Sequence, residues 1–265
     1  MQASTRLTPS SAAKGAAHRL AMTRALARIA GRRDPASRAV AKALRAAAAG
    51  RLPAEERAWI RRIESRRAEL IAKQSDQTPE ELGVFGIAEA VRWMSVPPVL
   101  GRFLMRLVRE LAPSSSIEVG TGLGLSGAYQ GAALELNERG RLITVDVVEA
   151  HAVLAREGFG ELGIGRVEVR VGEPATVLET ALADAAPVGY AFVDADHQEA
   201  PTLACFDAML PHLGPGAVIV FDDVGFSIPE MARAWSTIAA HERVSAAVPI
   251  GRLGVTVLKR SWEAR

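Results

Sequence analysis

Residues 117–126 read Ile-Glu-Val-Gly-Thr-Gly-Leu-Gly-Leu-Ser, and this stretch decides the fold prediction. The short apolar run at its start predicts a strand. The three glycines at alternate positions predict a sharp turn whose backbone can approach a ligand closely. Ser126 then begins a helix, and the first N–H groups of a helix can receive a carboxylate. We interpret the stretch as a strand, a turn and a helix at the start of an open α/β sheet.

The chain after this turn alternates between short apolar runs and helical segments. The expected strands cover residues 117–119, 142–146, 167–171, 190–193 and 217–221, and the expected helices cover 126–136, 150–157, 174–185, 200–213 and 229–240. Repeated strand–helix units of this length predict a mostly parallel, doubly wound sheet. Two further strands, 243–249 and 254–259, flank a tight turn at Gly251-Arg252. The prediction is therefore a Rossmann-like sheet of seven strands that ends in an antiparallel hairpin.

The N-terminal region differs from the rest of the chain in charge. Residues 1–80 hold 17 Lys/Arg and 7 Asp/Glu, a net charge of +10. Since the whole chain has a net charge of +2, the other 185 residues carry a net charge of −8. Helices are expected at 36–49 and after Pro53, the second with an apolar stripe made of Trp59, Ile60, Ile63, Leu70 and Ile71. We expect an added basic helical segment at 1–80, a polar linker at 74–79 and the main domain at 81–265. An Arg- and Ala-rich solvated helical face is the expected reason for the charge, and a nucleic-acid partner is the alternative.

The composition excludes several classes of protein. The chain has one cysteine, Cys205, which allows no internal disulfide and suits a reducing, cytoplasmic setting. No apolar run reaches the roughly 18 residues of a membrane span, so no membrane partner is expected. A length of 265 residues is enough for one α/β domain with an appendage.

The glycine turn also satisfies the dinucleotide-binding pattern, so a dehydrogenase is the rival interpretation of this stretch. Gly122, Gly124 and Gly127 have the spacing G-x-G-x-x-G, and Asp146 follows about 20 residues later, at the end of the second expected strand, where a carboxylate can bind both ribose hydroxyls. Glu118 argues against a dinucleotide, because a carboxylate beside the glycines repels a pyrophosphate. It suits a ligand that carries an ammonium and a sulfonium.

Carboxylates follow two strands that the predicted sheet makes neighbours. Asp194 follows the fourth strand, and Asp222 and Asp223 follow the fifth. Three carboxylates at such range repel one another unless a cation or protons intervene, and hard oxygen ligands with open positions suit Mg²⁺. Aspartates at strand ends also cap turns and helices, which is the structural alternative.

The residues from 84 to 260 resemble the class I S-adenosylmethionine-dependent methyltransferases. The resemblance is strongest to the catechol and caffeoyl-CoA type O-methyltransferases and to a bacterial group that methylates sugars of antibiotics. It depends on the E-x-G-x-G-x-G turn at 118–124, the acidic Asp146, the segment Gly172-Glu173-Pro174 after the third strand, and Ser95-Val96-Pro97-Pro98 before a helix. It covers about two thirds of the chain and leaves out residues 1–80.

This resemblance implies S-adenosylmethionine as the cofactor. The residues that it assigns to the cofactor are Ser95, Val96, Glu118, Gly120, Thr121, Gly122, Gly124, Ser126, Asp146, Val147, Gly172, Glu173, Pro174 and Asp194. It makes Asp194, Asp222 and Asp223 the ligands of a Mg²⁺ ion that orients and acidifies the acceptor hydroxyl. Asp196 and His197 are the candidate catalytic bases; the catechol-type enzymes usually have lysine where His197 stands, and the sugar-modifying group is more similar here.

The function that the resemblance implies is Mg²⁺-assisted methyl transfer to a hydroxyl of a small molecule. Three alternatives stay open: a metal-free O-methyltransferase with Asp196 or His197 as base, an RNA ribose methyltransferase that uses the basic N-terminal segment, and a protein that binds S-adenosylmethionine without catalysis. The order Asp194-Ala195-Asp196-His197 disfavours methylation of amines, whose enzymes commonly have Asn/Asp-Pro-Pro-Tyr there. The apolar stripe needs a partner surface, either the main domain or a second subunit. Since related O-methyltransferases often pair through added N-terminal helices, we expect a homodimer that buries it.

Overall fold

A seven-stranded sheet forms the centre of the molecule, and the computed structural model describes residues 11–50, 52–72, 86–194, 196–225 and 228–261. The strands are β1 Ser115–Val119, β2 Arg141–Asp146, β3 Val167–Val171, β4 Val188–Val193, β5 Leu213–Phe221, β6 Val244–Ile250 and β7 Leu253–Leu258. Their order is β3-β2-β1-β4-β5-β7-β6. The first five pair in parallel, and β7 is antiparallel to both of its neighbours. The predicted Rossmann-like sheet with a C-terminal hairpin is confirmed.

Ten helices are described, and they cover both faces of the sheet. They are α1 Ser11–Ile29, α2 Pro35–Ala49, α3 Ala54–Ala72, α4 Ile87–Met94, α5 Pro98–Leu111, α6 Leu125–Asn137, α7 Glu149–Leu162, α8 Pro174–Ala185, α9 Glu199–Met209 and α10 Pro229–Ala240. Helices α8 to α10 pack on the face that carries Ala191 and Ile219, and the other helices pack on the face that carries Tyr190 and Phe192. None of the described helices has both the length and the apolar composition needed to cross a membrane.

Several helix ends follow directly from the sequence. The Asp34 side chain accepts a 2.8 Å hydrogen bond from the Ser37 amide at the start of α2, and Gly50 ends that helix in the left-handed conformation. The helix expected at 200–213 is shorter than predicted. It ends at Met209 and gives way to a 3₁₀ turn, because Pro211 has no N–H to continue the helical hydrogen bonds.

The N-terminal helices are part of the main hydrophobic core. Helix α1 packs against β6, α2 against α5, and α3 against α6. In the apolar stripe of α3, Ile60, Ile63 and Leu70 are buried in the same cluster as the sheet residues. The expectation that a second subunit buries this stripe is therefore wrong, because the chain covers it itself. The homodimer and the domain boundary at residue 80 stay predictions, and the linker expected at 74–79 lies outside the described residues.

Part of the basic charge of α3 is used inside the molecule. Arg66 forms a 2.7 Å ion pair with Glu161 of α7, although its side chain is only 7% exposed. Arg67 is 11% exposed, and Arg62 donates to the carbonyl of Leu162. A solvated basic face was expected for this region; Arg57, Arg61 and Arg62 of α3 are exposed as expected, whereas Arg66 and Arg67 are not.

Candidate active site

The glycine turn after β1 has a backbone that other residues rarely adopt. The φ angles of Gly120, Gly122 and Gly124 are 97°, 50° and 78°, all in the region that glycine favours. A Cβ at Gly124 would lie 2.9 Å from the Cβ of Ala155, so close packing against α7 also requires glycine there. A Cβ at Gly122 would meet no protein atom within 4 Å and would enter open space. The turn is thus packed on one side and open to a ligand on the other.

Asp146, at the end of β2, is held by backbone amides. Its Oδ2 accepts a 2.8 Å hydrogen bond from Gly122, and its Oδ1 accepts from Val147 and Val148 at 2.8 and 2.9 Å. His151 of α7 approaches the same carboxylate, with Nδ1 3.6 Å from Oδ1. Burial alone raises the pKa of Asp146, but these hydrogen bonds outweigh it and hold the pKa below its usual value. The carboxylate is therefore ionised and fixed in orientation beside the turn.

Glu118 lies beneath the turn and is fully buried. Gln130 of α6 donates a 2.6 Å hydrogen bond to its Oε1. Burial raises the pKa of Glu118 to about 7, against the opposing effect of the neighbouring polar side chains of Thr144, Ser126 and Gln130. The group therefore changes charge near neutral pH and can respond to a cationic ligand.

One cleft brings most of the predicted site residues together. Its lining consists of Met94, Ser95, Gly120, Thr121, Gly122, Leu123, Leu125, Ser126, Asp146, Val147, Val148, His151, Asp194, Asp196 and His197. The cleft thus runs from the glycine turn to the end of β4. Its two ends have different chemistry, since Asp146 lies at one end and His197 at the other.

The remaining predicted cofactor residues do not line this cleft. They are Val96, Glu118, Gly124, Gly172, Glu173 and Pro174. Gly172 and Glu173 line a neighbouring cleft with Thr176, whose amide donates to the Glu173 side chain at 3.0 Å. Gly172 still reaches the site backbone, because its amide donates to the carbonyl of Asp146 at 3.2 Å. The assignment of these six predicted residues to the cofactor stays a prediction.

The carboxylate cluster after β4 and β5 contains an arginine. Arg252 donates to both oxygens of Asp222, with Nε 2.6 Å from Oδ1 and Nη2 2.5 Å from Oδ2. Its Nε also lies 3.0 Å from Oδ1 of Asp223. Burial raises the pKa of Asp222, and Arg252 opposes that effect. Burial and the charge of Asp222 raise the pKa of Asp194 well above its usual value. The cation that the sequence predicted for this cluster is present as a guanidinium.

No group of three or more His, Cys, Asp or Glu side chains in the described part of the chain is arranged to hold a metal ion. The three aspartates predicted as ligands are close to one another, but two of them are bonded to Arg252. As the cluster stands, its donor atoms do not fit a divalent ion.

The two candidate bases lie at the same end of the cleft. Nε2 of His197 is 3.6 Å from Oδ2 of Asp223 and 3.9 Å from Oδ1 of Asp194, and the side chain is 40% exposed. Asp196 is exposed and has a φ angle of 45°. Ala195, between Asp194 and Asp196, lies outside the described residues. Of the two candidates, His197 has the carboxylate neighbours that can stabilise a positive charge.

Two side chains of this site, Arg252 and His151, are not among the residues predicted from the sequence. Arg252 was recognised only as part of a turn, because nothing in the sequence indicates which carboxylate a hairpin residue can reach. His151 was given no role, although its place in the first turn of the helix after Asp146 could have suggested contact with that carboxylate.

The comparisons with known proteins agree on one class. A family model described as a methyltransferase domain matches residues 117–224. A relative from Mycobacterium sp. (strain KMS), named as an O-methyltransferase, is 32% identical over 160 residues, which cover 58% of this chain and 70% of the relative. A catechol O-methyltransferase from Niastella koreensis is 32% identical over 133 residues, which cover 49% of this chain and 58% of that protein.

A solved structure gives the same result. The O-methyltransferase from Bacillus cereus in complex with SAH superposes with a TM-score of 0.55 and 26% identity, over 74% of this chain and 100% of that one. The chain spans between 58% and 70% of the length of the first curated relatives that it matches.

Proposed function

We propose that this chain, which belongs to the S-adenosylmethionine-dependent O-methyltransferase family, transfers a methyl group from S-adenosylmethionine to a hydroxyl of a small molecule. The observation that carries the proposal is the single cleft that joins Asp146 and the open glycine turn to His197. A nucleoside-binding end and a proton-accepting end in one cleft are what methyl transfer to a hydroxyl requires.

The first end of the cleft fits S-adenosylmethionine. Gly122 leaves open space at the turn, and Asp146 offers an ionised carboxylate to the ribose hydroxyls. Glu118 beneath the turn becomes negative near neutral pH, which favours a ligand with positive groups. When bound, S-adenosylmethionine supplies an electrophilic methyl group on a positively charged sulfur.

The second end of the cleft fits an acceptor hydroxyl. The acceptor oxygen forms a bond to the methyl carbon while the carbon–sulfur bond breaks, and the bonding electron pair stays on sulfur. The hydroxyl proton goes to Nε2 of His197, and the carboxylate of Asp223, 3.6 Å away, stabilises the imidazolium that results. Positioning by the cleft and removal of one proton together account for the reaction.

A Mg²⁺-assisted route is the second form of this proposal, and the contacts of Arg252 disfavour it. Mg²⁺ needs carboxylate oxygens with free lone pairs in near-octahedral geometry. Both oxygens of Asp222 accept hydrogen bonds from Arg252, and one oxygen of Asp223 forms an ion pair with it. The reaction proposed here therefore has no step at a metal ion.

A small-molecule acceptor is favoured over RNA by the relatives of this chain, one of which is named as a catechol O-methyltransferase. Arg66 is paired with Glu161, and Arg67 donates to the carbonyl of Val96, so these two arginines of the basic segment are not available to phosphates. The test is incubation with methyl-labelled S-adenosylmethionine and separate pools of catechols, glycosides and RNA. We expect label on an oxygen of a small molecule and none on RNA. Label in RNA alone, or no binding of S-adenosylmethionine by calorimetry, would contradict the proposal.

A further inference from the structure

The carboxylate cluster differs from an open metal site by one side chain, Arg252. Its guanidinium forms a two-point contact with Asp222, whose side chain is fully buried, and a third contact with Asp223. Resting on the proposed function, we infer that Arg252 is the resident cation of this cluster, that it keeps divalent metal ions out, and that methyl transfer by this protein needs none.

The position of Arg252 is set by the sheet. Strand β7 pairs with β5 in the antiparallel register Phe221↔Gly254, so the residue two places before Gly254 lies just beyond the end of β5. Asp222 and Asp223 follow Phe221 at that same end. The loop after these two aspartates packs on the turn that contains Arg252: a Cβ at Gly225 would lie 3.6 Å from the Cα of Arg252. The backbone therefore directs this arginine to the cluster.

The electrostatics favour a guanidinium that stays in place. Arginine does not lose its proton in proteins, and its planar fork matches a carboxylate at two points. A divalent ion at Asp222 would have to displace both hydrogen bonds and leave two cations side by side. Because Asp222 is buried, leaving its carboxylate without a cation would cost free energy. The cluster is thus neutralised in part without a metal.

Arg252 also acts on the proton acceptor through Asp223. One oxygen of Asp223 lies 3.0 Å from Nε of Arg252, and the other lies 3.6 Å from Nε2 of His197. Arg252 is therefore a positioning residue, which orients Asp223 toward the imidazole. Its removal should lower kcat and leave the Kd for S-adenosylmethionine nearly unchanged, because the carboxylate that faces His197 loses its anchor.

Binding of Mn²⁺, followed by paramagnetic resonance, tests the inference without any acceptor. We expect EDTA-treated wild-type protein to show no Mn²⁺ at the cluster. The Kd of Arg252→Met for Mn²⁺ should be at least about tenfold lower than that of the wild type, since the carboxylates are then unpaired. Adding Asp222→Asn to Arg252→Met should remove the new site. Arg109→Met is the matched control, because Arg109 is also partly buried and paired with two carboxylates, Glu55 and Glu56.

The outcomes separate this inference from the proposed function. Wild-type protein that binds Mn²⁺ in a manner abolished by Asp222→Asn would overturn the inference, and so would turnover that EDTA stops and Mg²⁺ restores. A folded Arg252→Met protein without a Mn²⁺ site would overturn it too. If that variant does not fold, the wild-type measurements still decide. Failure of the proposed function shows separately, as an absence of S-adenosylmethionine binding.

Discussion

Nη2 of Arg67 donates a 2.8 Å hydrogen bond to the carbonyl oxygen of Val96, and this contact joins the N-terminal helices to the rim of the cleft. Arg67 also pairs with Glu64, which accepts a 2.7 Å hydrogen bond from the hydroxyl of Tyr129 in α6. Helix α3 therefore holds both the segment that contains Ser95 and the helix that follows the glycine turn. The N-terminal region, expected to lie outside the catalytic fold, supports the cleft.

Replacing Arg67 should weaken cofactor binding. Arg67→Met removes a hydrogen bond from a charged donor to the segment beside Ser95, and such bonds contribute about 1.5–3 kcal/mol. Because the segment is held by other contacts as well, we expect the Kd for S-adenosylmethionine to rise roughly five- to thirtyfold by calorimetry. Arg61→Met, on the exposed face of α3, is the control. An unchanged Kd in a folded Arg67→Met protein would separate α3 from the site.

Asp146 should be the strongest single determinant of nucleoside binding. Asp146→Ala removes a carboxylate held at the cleft by three backbone amides, and we expect S-adenosylmethionine to bind about 1–3 kcal/mol less tightly. Calorimetry measures the change. Asp207→Ala, on the exposed side of α9, should leave the affinity as it is. If Asp146→Ala binds as well as the wild type, the ribose hydroxyls lie elsewhere.

Glu118 should make the stability of the ligand-free protein depend on pH. Its pKa is raised from 4.5 to about 7, so the folded protein holds a proton that the unfolded chain has lost. The stability that this proton contributes is fully present below about pH 4.5 and is lost as the pH rises through 7, a change of about 3 kcal/mol. Glu118→Gln should remove this contribution.

Urea denaturation of wild type and Glu118→Gln at pH 5 and pH 8 measures the effect. The difference in free energy of unfolding between the two proteins should change with pH, and Glu179→Gln on the exposed side of α8 should show no such change. Parallel pH curves for wild type and Glu118→Gln would mean that Glu118 is ionised throughout.

Local patterns predicted the sheet and the end of the cleft at the glycine turn, because both depend on residues close in sequence. The glycine turn and Asp146 lie at the ends of adjacent parallel strands, where any fold of this type brings them together. The contact of Arg252 with Asp222 depends instead on the register of β7 against β5, across 30 residues. Hydrophobic periodicity gives no information on that register.

The apolar stripe of α3 shows a second limit of the same kind. Ile60, Ile63 and Leu70 have the spacing of a buried helix face, but periodicity does not identify the surface that covers it. Both the chain itself and a second subunit satisfy the pattern. The structure shows that the chain itself provides the cover, and the same packing places Arg67 beside Val96.

His197 should be the residue whose loss reduces turnover most at the acceptor end. Nε2 of His197 lies within 4 Å of the carboxylates of both Asp194 and Asp223, and its side chain lines the cleft. Removing a general base costs roughly 10²–10⁴-fold in rate, so His197→Ala should lower kcat by that factor while the Kd for S-adenosylmethionine changes little. His212→Ala, in the 3₁₀ turn before β5 at the opposite end of that strand, is the control. The loss should be the same with and without EDTA, because the proposed proton transfer uses no metal. Full activity of His197→Ala would mean that Asp194 or Asp196 accepts the proton. A loss of activity that appeared only in EDTA would mean that the reaction uses a metal ion.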